Sequence, residues 1–247
     1  MDAATFVERI QSHDRYREQI VHVQELPARG AQHAELEGGV HPAVQDALDK
    51  KGVERLYSHQ VEAVEYIRNG QNVVIVTSTA SGKTLCYNIP VMETMAENPM
   101  STALFVYPTK ALTQDQLRGL GDFEVPEAGL DFMAGAYDGD TPGNLRRKLR
   151  DGGHIILTNP DMLHQGILPH HAKWNRFFTH LKYVVIDEVH AYRGVFGSHL
   201  ANVMRRLRRV CDHYGSHPQF VCSSATIDNP RQHAENIVGQ PMELVDK

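Results

Sequence analysis

Two short polar stretches contain residue types that could bind and hydrolyse a phosphate compound. Gly82-Lys83-Thr84 follows the apolar run Val73–Val76, and Asp187-Glu188 follows the apolar run Tyr183–Ile186. A lysine and a hydroxyl at the start of a helix suit phosphate and Mg²⁺, because the backbone N–H groups there also face the anion. Two adjacent carboxylates can bind Mg²⁺ and activate a water molecule. Together the two stretches predict a nucleotide site.

The loop predicted to bind phosphate runs from Thr77 to Thr84. The usual pattern G-x-x-x-x-G-K-[ST] has a glycine where Thr77 stands, so only Gly82-Lys83-Thr84 match it strictly. By itself this tripeptide also fits an ordinary turn between a strand and a helix. The apolar strand before it and the helical periodicity after it favour the phosphate-binding loop. The residues expected to bind the nucleotide are Thr79, Ala80, Ser81, Gly82, Lys83 and Thr84, and Thr84 is also expected to bind Mg²⁺.

The carboxylate pair has its own alternative explanation, since Asp-Glu after a strand is also common at helix N-termini. A buried strand that runs into two charges is nevertheless costly unless the charges have partners at its tip. Asp187 is placed to bind Mg²⁺, and Glu188 to deprotonate the water that attacks a γ-phosphate. A kinase would need no such glutamate, because its acceptor replaces the water. We therefore favour hydrolysis, with Lys83, Asp187 and Glu188 as the catalytic residues.

Composition restricts the class of protein. With 247 residues, of which 41% are hydrophobic and 22% charged, the chain can bury a full core. The net charge of −5 gives no global positive field, so any nucleic-acid surface must be local. Cys86, Cys211 and Cys222 lie far apart, which predicts buried reduced thiols instead of disulfides or zinc ligands. No apolar run approaches the ~20 residues that span a bilayer and no signal peptide is evident, so the expected location is the cytoplasm.

The elements that must position these residues follow from the hydrophobic pattern. Residues 1–40 form a predicted N-terminal appendage with a helix from Ala4 to about Ile20, and residues 41–247 form the main domain. In the main domain apolar runs alternate with amphipathic segments, which predicts an α/β fold with a mostly parallel sheet covered by helices on both faces. The predicted strands are Val73–Val76, Ala103–Tyr107, Leu130–Ala134, His154–Leu157, Tyr183–Ile186 and Phe220–Cys222. The predicted helices include Pro42–Lys51 and Ser58–Arg68.

Several further stretches, in order along the chain, resemble the motifs of superfamily 2 helicases. Thr79–Thr84 looks like motif I, Asp187-Glu188-Val189-His190 is a DEVH box like motif II, and Ser223-Ser224-Ala225-Thr226 looks like motif III. The resemblance also covers Leu56–Gln60 ahead of motif I, Pro108–Leu112 as motif Ia, Gly135–Thr141 at the position of motif Ib, and Thr158–Met162. Together with the Glu25–Arg29 stretch upstream, the amino-acid sequences of these motifs are most similar to those of the YprA/MrfA-like DEAD/DEAH-box DNA helicases, which carry a C-terminal DUF1998 region. This resemblance implies a RecA-like domain.

The resemblance also implies roles for individual residues. Gln60 would recognise the adenine edge with Tyr57 beside it, the alternative for Gln60 being a helix-start glutamine that faces solvent. The residues implied to contact nucleic acid are Thr109, Lys110, Gly135 and Thr158. His190, Ser223 and Thr226 would couple nucleotide to nucleic acid, with His190 as the expected partner of the two hydroxyls. The Arg205–Arg209 run is expected to be a solvated helix face.

The expected function is the ATP-binding half of a DNA helicase or translocase that uses ATP and Mg²⁺, moves on single-stranded DNA and serves in DNA repair. A second RecA-like domain outside this chain would supply an arginine finger, so the 247 residues alone are expected to bind ATP without unwinding DNA. Two alternatives stay open. One is an RNA helicase of the DEAD-box type, because backbone contacts distinguish DNA from RNA poorly. The other is a nucleotide-gated binding module with little catalysis.

Overall fold

The computed structural model describes residues 2–24, 30–78 and 81–246. Thr79 and Ala80 of the predicted nucleotide site, and the Glu25–Arg29 stretch of the resemblance, lie outside the described residues. The chain divides into two compact units, Met1–Ala31 and Gln32–Lys247. The second unit thus begins upstream of the predicted boundary between residues 40 and 41.

The first unit contains helix α1, Ala3–Gln11. The sequence predicts a helix that continues to about Ile20, and this prediction is wrong. The Ser12 hydroxyl donates to the carbonyl of Arg9, and the side chain of His13 accepts from the Arg15 N–H. Such local bonds between side chains and backbone compete with helix propagation, so the helix ends early.

The second unit alternates strands and helices. Its strands are β1 (His33–Ala34), β2 (Leu56–Tyr57), β3 (Val73–Val76), β4 (Thr102–Val106), β5 (Ala134–Ala136), β6 (Ile155–Thr158), β7 (Leu181–Ile186), β8 (Gln219–Ser224) and β9 (Glu243–Asp246). Its α-helices are α2 (Pro42–Lys50), α3 (Ser58–Arg68), α4 (Lys83–Glu97), α5 (Lys110–Gly121), α6 (Gly143–Gly152), α7 (Pro160–Met162), α8 (Asn175–Thr179), α9 (Gly194–Tyr214) and α10 (Pro230–Val238). Short 3₁₀ segments cover Pro126–Ala128, Leu168–Trp174 and Val189–Ala191, and a π-helical segment covers Leu163–Ile167.

The main sheet has seven strands in the order β5-β6-β4-β7-β8-β3-β9. Each neighbouring pair is parallel, so the carboxyl ends of all these strands lie along one edge. Ligands of open α/β sheets bind outside that edge. The strand order divides the edge into two parts, which we name the β5–β6–β4 half and the β7–β8–β3 half. The predicted parallel α/β architecture is confirmed.

Two hydrophobic cores cover the two faces of this sheet. Val73 and Ile75 belong to one core, and Val74 and Val76 belong to the other, because successive strand residues point to opposite faces. Buried residues of α2, α3 and α4 complete the first core, and those of α9 and α10 complete the second. Burial on both faces explains why the strands are continuous apolar runs.

One predicted strand is misplaced, and three strands are not predicted. The sequence predicts a strand over Leu130–Ala134, whereas β5 begins at Ala134. Leu130 and Phe132 are buried, which gives the alternation of a strand, but Leu130 pairs only with Val125 in an isolated antiparallel bridge around Gly129. The strands β1, β2 and β9 are not predicted from the sequence, and β9 pairs with β3 at the edge of the main sheet.

A second, two-stranded sheet joins β1 to β2 in antiparallel register, with His33 opposite Tyr57. The Ser58 N–H also donates to the Gln32 carbonyl at 2.8 Å. These bonds fix the residues that enter α3. Within residues 2–24, 30–78 and 81–246, we find no helix that combines the length and the apolar character needed to cross a bilayer.

Candidate active site

The predicted phosphate loop and both predicted carboxylates lie at the end of the β7–β8–β3 half. In the register of these strands Val76 lies opposite Ser224, and Ile186 lies opposite Cys222. Thr77, Asp187 and the loop after Ser224 therefore emerge side by side, although they are far apart in sequence. The fold brings motifs I, II and III together at one edge.

The loop enters α4 through Gly82, which has a left-handed conformation with φ of 75°. A Cβ at this position would lie 2.6 Å from the Gln60 Nε2 atom, so a side chain here is excluded by conformation and by space. No side chain among the described residues caps this helix start, which leaves the first N–H groups of α4 free to face an anion. The Lys83 ammonium donates to the carbonyls of Thr77 and Ser78 at 3.0 and 3.1 Å.

The two carboxylates differ in environment. Asp187 is buried, and burial raises its pKa, while hydrogen bonding from Ser223 opposes that rise. The charge on Lys83 also lowers the pKa of Asp187, so the lysine of motif I and the aspartate of motif II interact electrostatically. Glu188 is half-buried and adopts a left-handed conformation with φ of 52°, which is uncommon for a residue with a side chain. A strained backbone at such a point is typical of functional sites.

Ser223 bridges both carboxylate residues. Its hydroxyl donates to the Asp187 carboxylate and accepts from the Glu188 N–H at 3.4 Å. His190 is the expected partner of this hydroxyl, and that expectation is wrong, because the hydroxyl bonds to Asp187 and Glu188. Nδ1 of His190 instead accepts from the Ala225 N–H at 3.1 Å. Motif III therefore contacts motif II through three hydrogen bonds, two at the Ser223 hydroxyl and one at the Ala225 backbone N–H.

His190 also lies beside Glu188, with Nδ1 3.2 Å from Oε2. The same nitrogen therefore faces both the Ala225 N–H and the Glu188 carboxylate, so His190 links motif III to the glutamate of motif II. Thr226, the third residue predicted to couple the two functions, is exposed in the loop after β8.

Gln60 is almost fully buried, with 1% of its surface exposed. Its Oε1 accepts from the Tyr57 N–H at 2.8 Å, and its Nε2 donates to the Gly82 carbonyl at 3.0 Å. The alternative of a solvent-facing glutamine is therefore wrong. A primary amide has two donors and two acceptor lone pairs, so these two bonds use half of its hydrogen-bonding capacity.

Tyr57 is 38% exposed and stacks between two imidazoles. Its ring centroid lies 5.0 Å from that of His33 and 5.7 Å from that of His59, with interplanar angles of 22° and 11°. Neither histidine is among the predicted site residues, although His59 lies within the Leu56–Gln60 stretch of the resemblance. His59 Nε2 also lies 3.0 Å from the Ser81 carbonyl, so it contacts the phosphate loop itself.

Three buried tyrosines near Asp187 were also missed. The side chains of Tyr87, Tyr107 and Tyr192 are almost completely buried. Burial raises the pKa of each phenol, and the charge of Asp187 raises it further. In the sequence these tyrosines look like ordinary core residues, so only the structure shows that they lie near the Asp187 carboxylate.

The β5–β6–β4 half holds the residues predicted to contact nucleic acid. Thr109 caps α5, since its hydroxyl accepts from the Leu112 N–H at 3.3 Å. The Lys110 ammonium is exposed and forms an ion pair with Asp140 from the loop after β5. This pair joins motif Ia to the region of motif Ib on the protein surface.

Thr158 and Gly135 have structural contacts instead. Thr158 is fully buried, and its hydroxyl donates to the Tyr137 carbonyl at 2.7 Å. Gly135 is buried under α6, where a Cβ would lie 2.5 Å from the Leu149 Cδ2 atom. A direct contact between the Thr158 side chain and a nucleic acid would require its present bond to break.

Arg146 extends this structural role. Its guanidinium donates to the backbone carbonyls of Asp138, Gly139 and Thr141 at 2.6 to 3.0 Å. It also lies over the Tyr137 ring, 5.5 Å from the centroid. Arg146 thus holds the loop after β5 in place.

A family model described as DEAD/DEAH box helicase matches residues 57–234, which include the phosphate loop, both carboxylates and Ser223. The chain belongs to the DEAD/DEAH box helicase family. Over 229 residues it is 50% identical to the ATP-dependent helicase YprA of Bacillus subtilis, a match that covers 93% of this chain and 30% of YprA. Over 237 residues it is 41% identical to the ATP-dependent helicase HRQ1 of Saccharomyces cerevisiae, covering 94% of this chain and 22% of HRQ1.

Solved helicase structures agree with this membership. The crystal structure of the DUF1998 helicase MrfA bound to DNA and AMPPNP matches with a TM-score of 0.91 and 46% identity. The match covers 100% of this chain and 34% of the MrfA chain. The predicted resemblance to the YprA/MrfA-like superfamily 2 helicases is confirmed, and the chain spans about a third or less of the length of these three relatives.

Proposed function

We propose that this chain is the ATP-binding half of the motor of an ATP-dependent DNA helicase or translocase. The observation that carries the proposal is the arrangement of the sheet edge. A phosphate loop and two carboxylates converge on the β7–β8–β3 half, while an exposed lysine and a helix-capping threonine lie on the β5–β6–β4 half. A motor needs both sites on one rigid element, so that changes at one can be transmitted to the other.

The donors on the β7–β8–β3 half fit a nucleoside triphosphate with Mg²⁺. Lys83 would leave the Thr77 and Ser78 carbonyls and neutralise the β- and γ-phosphates. Thr84 and Asp187 would hold Mg²⁺, and a bound cation would offset the cost of burying the Asp187 carboxylate. Mg²⁺, when bound, neutralises charge on the phosphate oxygens.

Glu188 would orient and deprotonate the attacking water. Its side chain is half-buried next to His190, and Ser223 holds its backbone N–H. This leaves the carboxylate partly exposed at the strand tip, where a water molecule can reach it.

Gln60 would use its remaining donor and acceptor on the adenine edge, with the exposed part of Tyr57 nearby.

Thr109 and Lys110 would contact the backbone of single-stranded DNA, which supplies affinity without sequence preference. MrfA, a relative at 46% identity, has been solved with DNA, which supports DNA over RNA. A role in DNA repair stays a prediction from the resemblance. Movement of the strand requires a second RecA-like domain with an arginine finger, which can contribute ~10³–10⁵ in rate.

The test is the ATPase activity of the complete protein with single-stranded DNA, with RNA and without nucleic acid. DNA-stimulated hydrolysis is expected, together with weak ATP binding and no unwinding by the 247 residues alone. Equal stimulation by RNA would favour the RNA helicase, and ATP binding without stimulated hydrolysis would favour the binding module. Efficient unwinding by the 247 residues would overturn the proposal that this chain is only the ATP-binding half of the motor.

A further inference from the structure

Two successive carbonyls of the phosphate loop are held by two successive residues at the start of α3. His59 Nε2 lies 3.0 Å from the Ser81 carbonyl, and Gln60 Nε2 donates to the Gly82 carbonyl at 3.0 Å. A carbonyl oxygen can only accept, so the proton of His59 must be on Nε2. Both contacts are made by side chains that are at least nine-tenths buried.

These bonds, together with the bond from the Leu85 N–H to the Gly82 carbonyl at 3.1 Å, orient the loop amides. In a planar trans peptide the N–H points away from the carbonyl of the preceding residue. The bond from His59 therefore directs the Gly82 N–H away from α3, and the bond from Gln60 does the same for the Lys83 N–H. These are the two amides at the point where the loop becomes α4, where an anion is favoured.

The orientation of His59 is itself fixed by packing. Its ring stacks on Tyr57, which in turn stacks on His33 of β1, and β1 pairs with β2. The small two-stranded sheet thus supports His59 from behind. This gives a physical reason for the first strand of the second unit, which lies far from the phosphate loop in sequence.

We propose that His59 is a positioning residue for the phosphate-binding loop, acting through the Ser81 carbonyl to present the loop amides to the β- and γ-phosphates of ATP. The inference rests on the proposed ATP-binding function. It assigns His59 to the phosphates and not to the adenine, although its neighbours Tyr57 and Gln60 are the predicted adenine residues.

The experiment uses two substitutions that separate the ring from the donor. His59→Phe keeps a flat ring beside Tyr57 and removes the donor, whereas His59→Gln keeps an amide donor near the Nε2 position and removes the ring. Loss of one hydrogen bond to the loop is expected to weaken MgATP and MgADP binding by about tenfold in His59→Phe. His59→Gln is expected to recover most of that loss, and AMP, which lacks both terminal phosphates, is expected to bind equally to both variants.

Affinities are measured by displacement of a fluorescent ATP analogue from the complete protein, and the KM and kcat for ATP with single-stranded DNA are measured alongside. His59→Phe should raise KM about tenfold with little change in kcat, since it acts on binding of the phosphates. The inference is overturned if His59→Phe binds MgATP as the parent does while His59→Gln is impaired, because the ring would then be the important feature. It is also overturned if AMP binding falls in parallel with MgATP binding.

His59→Leu provides a second route if His59→Phe does not fold. It also removes the donor to the Ser81 carbonyl and keeps an apolar side chain beside Tyr57. MgATP and MgADP binding should weaken as in His59→Phe while AMP binding is unchanged, and parent-like MgATP binding would overturn the inference. Lys83→Ala separates a failure of the proposed ATP-binding function from a failure of the role of His59. If the parent and Lys83→Ala bind MgATP equally, the proposed function itself fails, and the role of His59 fails with it.

Discussion

The two halves of the sheet edge use their polar groups differently. On the β7–β8–β3 half, Lys83 is bonded to the Thr77 and Ser78 carbonyls of its own loop, which a phosphate can replace. On the β5–β6–β4 half, the Thr158 hydroxyl is bonded to a buried carbonyl, and Gly135 is buried against Leu149. The β7–β8–β3 half can exchange hydrogen bonds within its loop for bonds to a ligand. The β5–β6–β4 half is mostly a buried scaffold, and its charged residue Lys110 is exposed at the surface.

This difference follows from the cost of desolvation. A triphosphate with a metal ion needs several convergent donors, so polar groups are concentrated there and their charges interact, as Lys83 and Asp187 do. A nucleic-acid backbone needs a row of exposed contacts and little burial. Only Lys110 and Thr109 meet that description among the four residues predicted to contact nucleic acid.

The largest expected effect is that of Glu188→Gln on the β7–β8–β3 half. Removing the general base should lower the DNA-stimulated kcat by about 10²–10⁴. The affinity for ATP should change by less than about tenfold, because Glu188 is placed against the water and not the phosphates. Steady-state ATPase and ATP-binding measurements on the complete protein test this, and an unchanged kcat would remove Glu188 from the mechanism.

Gly135→Ala tests the scaffold role of the β5–β6–β4 half. The new Cβ would meet the buried Leu149 side chain, and overpacking of this kind costs about 1–3 kcal/mol of unfolding free energy. Gly143→Ala is the matched control, because nothing lies within 4 Å of its Cβ and alanine favours the helix. Denaturant unfolding that gives both variants the same stability would contradict the packing argument.

Thr158→Val removes the hydroxyl that bonds to the Tyr137 carbonyl while keeping the shape of the side chain. The expected loss is about 1–1.5 kcal/mol of stability, with little specific loss of DNA affinity. Thr158→Ser retains the hydroxyl, so its stability should be closer to that of the parent than the stability of Thr158→Val is. A large fall in DNA affinity with unchanged stability would instead make Thr158 a contact residue and weaken the contrast between the halves.

The smallest expected effect is that of Lys110→Ala, since Lys110 is an exposed cation already paired with Asp140. Removing one phosphate contact should weaken single-stranded DNA binding several-fold and reduce the slope of log K against log salt by about 0.7. Asp140→Ala should leave binding equal or make it tighter, because it frees Lys110. Fluorescence anisotropy of a labelled oligonucleotide over a range of salt concentrations measures both, and an unchanged slope in Lys110→Ala would exclude the contact.

The sequence by itself determined the chemistry of the β7–β8–β3 half. Lys83, Asp187 and Glu188 follow strands that are continuous apolar runs, and this local pattern predicts both the strands and the groups at their tips. The parallel α/β class follows from the same alternation. Local patterns also mislead, since the alternating burial of Leu130 and Phe132 looks like a strand but comes from an isolated bridge.

Only the tertiary structure decided which residues are hydrogen-bond partners and which motifs lie together on each half of the sheet edge. Along the chain the motifs of the two proposed functions are interleaved, and only the order β5-β6-β4-β7-β8-β3-β9 sorts them onto separate halves. The partner of Ser223 is Asp187, and the loop carbonyls are held by His59 and Gln60. Such contacts join residues that are distant in sequence, and they depend on strand order and register, which hydrophobic periodicity does not encode.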